Sequence, residues 1–193
     1  MTDPRAQALL DVWFGKPDEP DFDTAREWWF VADPVSDKAM RERFGPDQRR
    51  AAAGELESWI VEPNSCLALV LLLDQLPRNL YRGSPRAFDC DADARQVADR
   101  ALRENHDQAV VPVRRQFFYL PFEHSEALAD QERSVALAKA LPELPFKANF
   151  VDYAERHRAI IARFGRFPHR NQVLGRDSTP EEEHFLKQPG SSF

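Results

Sequence analysis

The sequence is poor in glycine and cysteine and has no long apolar run. It contains 7 Gly and 2 Cys among 193 residues. The longest apolar run, Cys66 to Leu73, is far shorter than the ~18 residues that a membrane-spanning helix needs. The N-terminus lacks the basic and then apolar pattern of a signal peptide, and scarce cysteine fits a reducing compartment. We therefore expect a cytoplasmic protein with no membrane segment.

The charge balance and the missing motifs exclude several function classes. The net charge of −6 argues against nucleic-acid binding, because phosphate contacts need a basic surface. The sequence has no P-loop, no dinucleotide-binding glycine fingerprint and no G-x-S-x-G motif. One E-x-x-H pair, Glu181 and His184, lacks the second copy that a di-iron site would need. We expect no metal, no cofactor and no nucleic-acid partner.

Helical periodicity runs through most of the chain, and no segment shows strand-like alternation. Asp3-Pro4 places a capping residue and a first-turn proline ahead of an apolar stripe, and Thr179-Pro180 begins a capping box. Ser36 or Asp37 is expected to cap a further helix. The sequence therefore predicts an all-α fold of about nine helices with no β-sheet.

Two stretches in the first half of the chain predict further helices. Residues 48–60 carry an apolar side at helical spacing, and residues 67–75 are apolar nearly all round, which is typical of a buried helix. We expect one all-helical domain over residues 1–187 and a frayed C-terminal tail over residues 188–193.

Three segments share an order of aromatic or leucine, then proline, then polar side chains. They cover residues 73–79, 119–126 and 163–171, and are called here the first, second and third proline segments. A proline inside a helix removes one donor and clashes with the carbonyl four residues earlier. We expect helices to kink or end near Pro77, Pro121 and Pro168, where exposed backbone groups and polar side chains could build a site.

These segments carry a resemblance to a known family. Trp13-Phe14-Gly15, residues 73–83, residues 118–126 with Asp130-Gln131, and residues 163–171 running on to Ser178-Thr179 resemble the domain of unknown function 924 family of bacterial proteins. The resemblance implies an all-helical fold related to tetratricopeptide-repeat-like proteins, and it implies no established activity. Leu76 departs from the family, which has phenylalanine there, and this is a change of packing.

Arginine concentrates in and around the proline segments. Residues 156–176 contain six Arg, two His and no acidic residue, and Arg binds carboxylate or phosphate through two parallel hydrogen bonds. Asp74 follows a buried apolar run, so its charge needs a partner such as Arg78. The candidate ligand-binding residues are Asp74, Gln75, Arg78, Asn79, Arg82, Arg163, Arg166, Arg170 and Asn171.

The second and third segments also supply acid–base candidates. Glu123, His124, Glu126 and His169 are the candidate catalytic residues, because a histidine titrates near neutrality and a nearby carboxylate can orient it. On a helix the two glutamates share a face and His124 points away toward another segment. His157 lies on an apolar stripe and is expected in the core.

The sequence is compatible with two functions. The first is a polar pocket that gathers the three segments and binds, or acts on, an anionic small molecule. The second is a helical scaffold that grips a protein or peptide partner, in which case the same charged residues form internal ion pairs that brace the helices. The arginines outnumber the carboxylates within the three segments, which favours the first interpretation.

Overall fold

The computed structural model describes residues 1–192. It contains two compact units: Met1–Arg82 with Arg86–Pro121, called unit 1, and Gly83–Pro85 with the described residues from Phe122 onward, called unit 2. The prediction of a single domain over residues 1–187 stays a prediction.

The described residues form α-helices and short 3-10 turns without a strand, which confirms the all-α prediction. The α-helices are α1 (Pro4–Phe14), α2 (Pro34–Ala52), α3 (Pro63–Val70), α4 (Leu76–Leu80), α5 (Asp91–Arg103), α6 (Pro112–Glu123), α7 (Leu128–Ala140), α8 (Lys147–Phe164) and α9 (Pro180–Leu186). None of the helices within residues 1–192 has both the length and the apolar character needed to span a bilayer.

In unit 1, α1 packs against α3, α2 against α4, and α3 against α5. The Asp3 side chain caps α1 by accepting from the Arg5 N–H at 2.8 Å, as the sequence predicts. At its other end α1 stops at Gly15, whose φ of 83° is in the region that favours glycine. The last carbonyls of α1 accept from the segment that follows, Phe14 from the Asp23 N–H and Trp13 from the Trp29 indole.

Helix α2 differs from the prediction at both ends. Asp33, rather than Ser36 or Asp37, is the cap, and its carboxylate accepts from two backbone N–H groups of the first turn. The helix passes through Pro46 and ends at Ala52, so residues 48–52 of the predicted separate helix belong to α2. The left-handed Gly54 then turns the chain, and a 3-10 turn at Glu57–Val61 replaces the remainder of the predicted helix.

The buried helix predicted over residues 67–75 is interrupted by a π turn. Helix α3 leads into a π turn at Leu71–Gln75, where the Leu76 N–H reaches back to the Leu71 carbonyl, and α4 follows directly. This wider turn accommodates Pro77, which has no N–H and would otherwise crowd the carbonyl four residues earlier. The helix therefore continues past the proline to Leu80.

In unit 2, α7 packs along α8. Helix α8 ends at the left-handed Gly165, whose N–H donates to the Ile161 carbonyl, so glycine and not Pro168 ends it. The predicted capping box at Thr179 is present at the start of α9. Within the predicted tail, the Ser191 hydroxyl donates to the Leu186 carbonyl at 3.1 Å, and Phe193 lies outside the described residues.

Candidate functional site

The polar residues of the first proline segment contact carboxylates of unit 1. Asp74 is fully buried on the π turn, where Gln75 donates to its carboxylate at 2.6 Å. The guanidinium of Arg78 lies 3.5 Å from the Asp74 carboxylate and donates to both oxygens of Asp91 on α5, at 3.0 and 3.2 Å. One guanidinium therefore links the buried π turn to the start of α5.

Asn79 of the same segment, and Arg82 shortly after it, reach α2 through a second carboxylate. Asn79 donates to Asp37 at 2.8 Å, and the Arg82 Nε donates to the other oxygen of Asp37 at 3.1 Å. Asp37 is buried, and these bonds hold α4 against α2. In the second segment, the Tyr119 hydroxyl donates to the buried carboxylate of Asp107 at 2.8 Å, also within unit 1.

In unit 2, arginines of the third segment pair with carboxylates of α9. Arg166 donates two hydrogen bonds to Glu182, at 2.7 and 2.8 Å, and Arg163 donates to Glu181 at 2.8 Å. Asn171 donates to Glu182 as well, at 3.3 Å. The hydrogen bonds from Arg166 lower the pKa of Glu182 to about 2, so this buried carboxylate stays ionised.

Glu126 connects the second and third segments. Its carboxylate accepts from Arg176 at 2.7 and 3.0 Å and from the Phe167 backbone N–H at 2.8 Å. Burial acts to raise the pKa of Glu126, but the hydrogen bonds from Arg176 and Phe167 outweigh it and hold the pKa below its usual range. An ionised carboxylate with both oxygens engaged suits a positioning role better than acid–base work.

Four polar residues of the second and third segments, together with His157 of α8, form one cluster in unit 2. This histidine cluster comprises Glu123, His124, His157, His169 and Arg170. The Arg170 guanidinium donates to the His124 carbonyl at 3.0 Å, and the rings of His124 and His157 lie 6.4 Å apart. The His157 Nδ1 lies 3.3 Å from the Glu123 carboxylate.

Phe167 completes the packing of the histidine cluster. Its buried ring lies 5.5 Å from both the His157 and the His169 rings, and the Arg170 guanidinium stacks over it at 4.4 Å. Two imidazoles and one guanidinium therefore share a single aromatic support.

The protonation state of His157 follows from its contacts. Burial lowers the pKa of His157 to about 3, so the ring is neutral at physiological pH and carries one proton. The Nδ1 lies 2.8 Å from the Tyr153 carbonyl, which can only accept, and this assigns the proton to Nδ1. The Nε2 of His157 is then a lone-pair acceptor.

His169 is also neutral but is less enclosed. Burial, and then the nearby charge of Arg170, lower the pKa of His169 to about 4, while its side chain and that of His124 remain partly exposed. Among the described residues, no group of three or more His, Cys, Asp or Glu is arranged to hold a metal ion. The cluster thus combines neutral imidazoles with a guanidinium and a carboxylate.

Sequence reasoning missed several members of these networks. His157 lies in the interior, as predicted, but it also contacts Glu123 there. Gln131 on α7 donates to the Glu123 and Ser125 carbonyls at 2.6 Å each and so caps the end of α6. The only sequence signal for Gln131 is its place beside Asp130 in the family motif, and no local signal marks Asp37 or Glu182 as partners.

The fold and the motif residues together define an all-helical protein whose polar motifs are held by arginine–carboxylate pairs. A family of bacterial proteins of unknown function, DUF924, matches the chain over residues 9–190, and the chain belongs to this family, as the motifs predict. A solved structure of the protein of unknown function ATU0120 from Agrobacterium tumefaciens is 42% identical, with a TM-score of 0.83, and the match covers 94% of this chain and 96% of that one. No curated protein matches the chain.

Proposed function

We propose that the protein binds a small anionic molecule, carrying a carboxylate or phosphate, at the histidine cluster of unit 2. The observation that supports this is the convergence of two imidazoles, His157 and His169, and the Arg170 guanidinium on one aromatic support, Phe167. The His124 ring lies beside His157, and His124 and His169 are partly exposed. The Arg170 guanidinium offers N–H donors to an anion, and the neutral His169 imidazole can add one more without the mutual repulsion of several cations. The N–H of His157 is directed to the Tyr153 carbonyl, so His157 contributes to the packing of the site.

The proposed site is smaller than the residue set that the sequence suggests. Arg78, Arg82, Arg163 and Arg166 already hydrogen-bond to carboxylates of their own units, so an anion would have to displace those partners. Of the candidates that the sequence suggests, the histidine cluster keeps Glu123, His124, His169 and Arg170, and it adds His157.

The cluster can also accept a proton. The neutral imidazole of His169 is partly exposed beside Arg170, and a neutral imidazole can accept a proton from a bound acid. We propose His169 as the acid–base group of the site and Glu126 as a residue that positions the third segment. Binding is the core of the proposal, and any reaction depends on it.

The ring nitrogens of the five histidines provide a direct test. In a protein with ¹⁵N-labelled imidazoles, titration with phosphate and with citrate should shift the signals of His124, His157 and His169. The signals of His106 in unit 1 and His184 on α9 serve as internal controls and should not move. Equal shifts of all five signals, or none, would contradict the proposal.

A matched pair of variants separates binding from stability. His169→Asn should abolish the thermal stabilisation that a bound anion produces, because a ligand that binds the native state raises the melting temperature. His184→Asn, an exposed histidine on α9, should respond to the anion as the unaltered protein does. A His169→Asn protein with full stabilisation would exclude this histidine from the site.

A scaffold function is the second candidate, and the pairing of the arginines favours it. Because Arg78, Arg82, Arg163 and Arg166 hydrogen-bond to carboxylates within their own units, these side chains brace helices. The tetratricopeptide-repeat-like arrangement implied by the family resemblance would suit a protein or peptide partner. Under this function no small anion shifts the imidazole signals, and binding maps to an exposed apolar surface instead.

A further inference from the structure

We propose that residues 27–35 of unit 1 form a docking surface for a basic, apolar peptide segment of a partner protein. This inference is independent of the anion site in unit 2 and gives the scaffold function a location and a partner chemistry. It rests on exposed apolar side chains, a fixed aromatic anchor and the local charge.

Three large apolar side chains are exposed within six residues of the chain. Phe30 and Val31 are each 61% exposed, and Val35 is 77% exposed. Single exposed apolar residues are ordinary, whereas several together mark an interaction site. Trp28, partly exposed, precedes them on the short 3-10 turn at Glu27–Trp29.

The exposed phenylalanine is fixed in place by the core beneath it. The Phe30 ring stacks on the buried Phe117 ring, with centroids 6.4 Å apart and planes 11° apart, and it meets Trp29 edge-on. The turn itself is tied to α1, because the Trp29 indole donates to the Trp13 carbonyl at 3.0 Å. An aromatic ring held by a rigid core loses little entropy on binding and is typical of an interface hot spot.

The negative charge of the surrounding segment indicates that the partner is basic. Residues 17–37 contain seven acidic residues and one basic residue, Arg26. Arg114 and Arg82, from elsewhere in unit 1, pair with Asp23 and Asp37, which leaves an excess of negative charge on the segment. Arg26 pairs with Asp21, and four of the seven carboxylates remain outside these three pairs. An acidic segment that carries exposed apolar side chains is complementary to a peptide with alternating basic and apolar residues.

One acidic residue of this segment is held ionised next to the apolar residues in the chain. Asp33 lies between Val31 and Val35 in the chain and caps α2 through the Val35 and Ser36 N–H groups. The Ser36 hydroxyl also donates to its carboxylate at 2.6 Å, and these hydrogen bonds hold the pKa of Asp33 below its usual value. A negative charge therefore persists next to the apolar surface in mildly acidic solution.

Three labelled synthetic peptides test the proposal by fluorescence anisotropy. The first alternates lysine with leucine, the second replaces its lysines with glutamate, and the third replaces its leucines with serine. We expect the lysine–leucine peptide to bind at least about tenfold more tightly than either of the others, a difference of about 1.4 kcal/mol, and to weaken with added salt. Equal binding of the lysine–serine peptide would show charge attraction alone and overturn the proposal.

Variants of the protein locate the binding. The double variant Phe30→Ser with Val31→Ser should lose at least about tenfold in affinity for the lysine–leucine peptide. The control Val61→Ser changes a valine of unit 1 that is 72% exposed but lies outside the surface, and it should bind normally. Because Phe30, Val31 and Val61 are all exposed, circular dichroism should show the same helical content in both variants and in the unaltered protein.

Sedimentation of the free protein distinguishes a partner peptide from a second copy of the chain. We expect a concentration-independent species for both the unaltered protein and the Phe30/Val31 variant. A dimer that the variant abolishes would mean that the surface pairs with itself, and it would overturn the proposed occupant. Unchanged peptide affinity in the variant would overturn the location.

Discussion

Acidification from about pH 7.5 to about pH 5 should destabilise the protein, mainly through His157. Its pKa is lowered to about 3 by burial, whereas an unfolded histidine titrates near ~6.5. Below that value the unfolded state binds a proton that the folded state does not, so the free energy of unfolding decreases as the pH falls. The loss continues until the pH approaches the folded pKa.

The magnitude follows from the linkage between proton binding and folding. Each pH unit below the unfolded pKa costs about 1.4 kcal/mol while the native ring stays neutral, so His157 alone accounts for about 2 kcal/mol over this range. His169, with its pKa lowered to about 4, adds a smaller loss of the same sign because it is partly exposed. The lowered pKa values of Glu126 and Glu182 affect the free energy of unfolding only below about pH 5. Above that pH both carboxylates are ionised in the folded and in the unfolded state, so neither state takes up a proton there.

Urea unfolding at several pH values measures this loss, and His157→Asn isolates its source. The asparagine amide can still donate to the Tyr153 carbonyl, but it does not titrate, so the loss between about pH 7.5 and about pH 5 should shrink by about 2 kcal/mol. His184→Asn, at an exposed position, should keep the pH dependence of the unaltered protein. If His157→Asn shows the full dependence, the assignment of a neutral buried imidazole is wrong.

Two further predictions concern the framework of unit 1. Arg78→Met should lower the free energy of unfolding by about 3–5 kcal/mol, because it removes the guanidinium beside the buried Asp74, whereas Lys38→Met, in an exposed pair, should change it little in the same urea titration. Gly15→Ala should cost about 1–3 kcal/mol, because a φ of 83° with a ψ of 176° is nearly exclusive to glycine. The guanidinium nitrogen of Arg26, which the new Cβ would approach to 2.5 Å, adds little because it ends a flexible side chain. A loss well below about 1 kcal/mol in the urea titration would contradict the backbone strain.

Local sequence signals predicted the helices where the cap and the first turn lie together in the chain. Asp3-Pro4 and Thr179-Pro180 both begin helices as predicted, because capping involves residues two or three apart. The same signal at Asp33-Pro34 begins α2. The prediction that Ser36 or Asp37 caps this helix was wrong. Serine and aspartate are both common capping residues, but here they lie in the first turn, after the cap Asp33.

The spacing of apolar residues in the sequence could not predict the π turn. Residues 67–75 are apolar nearly all round, so a wider turn leaves the apolar pattern unchanged. The proline two residues later is the only nearby signal, and a proline equally fits a kink or the end of a helix.

The composition, the helical periodicity and the motifs by themselves determined the fold class and the family of this protein, because these depend on residues close together in the chain. Only the tertiary structure decided the partners of the charged motif residues, since Asp37 meets Arg82 from 45 residues away and Glu126 meets Arg176 from 50 residues away. The surplus of arginine within the proline segments predicted spare positive charge, but Glu181 and Glu182 of α9 pair with Arg163 and Arg166. Burial likewise decides that His157 is neutral, because a pKa depends on the solvent and charges around the side chain in the fold.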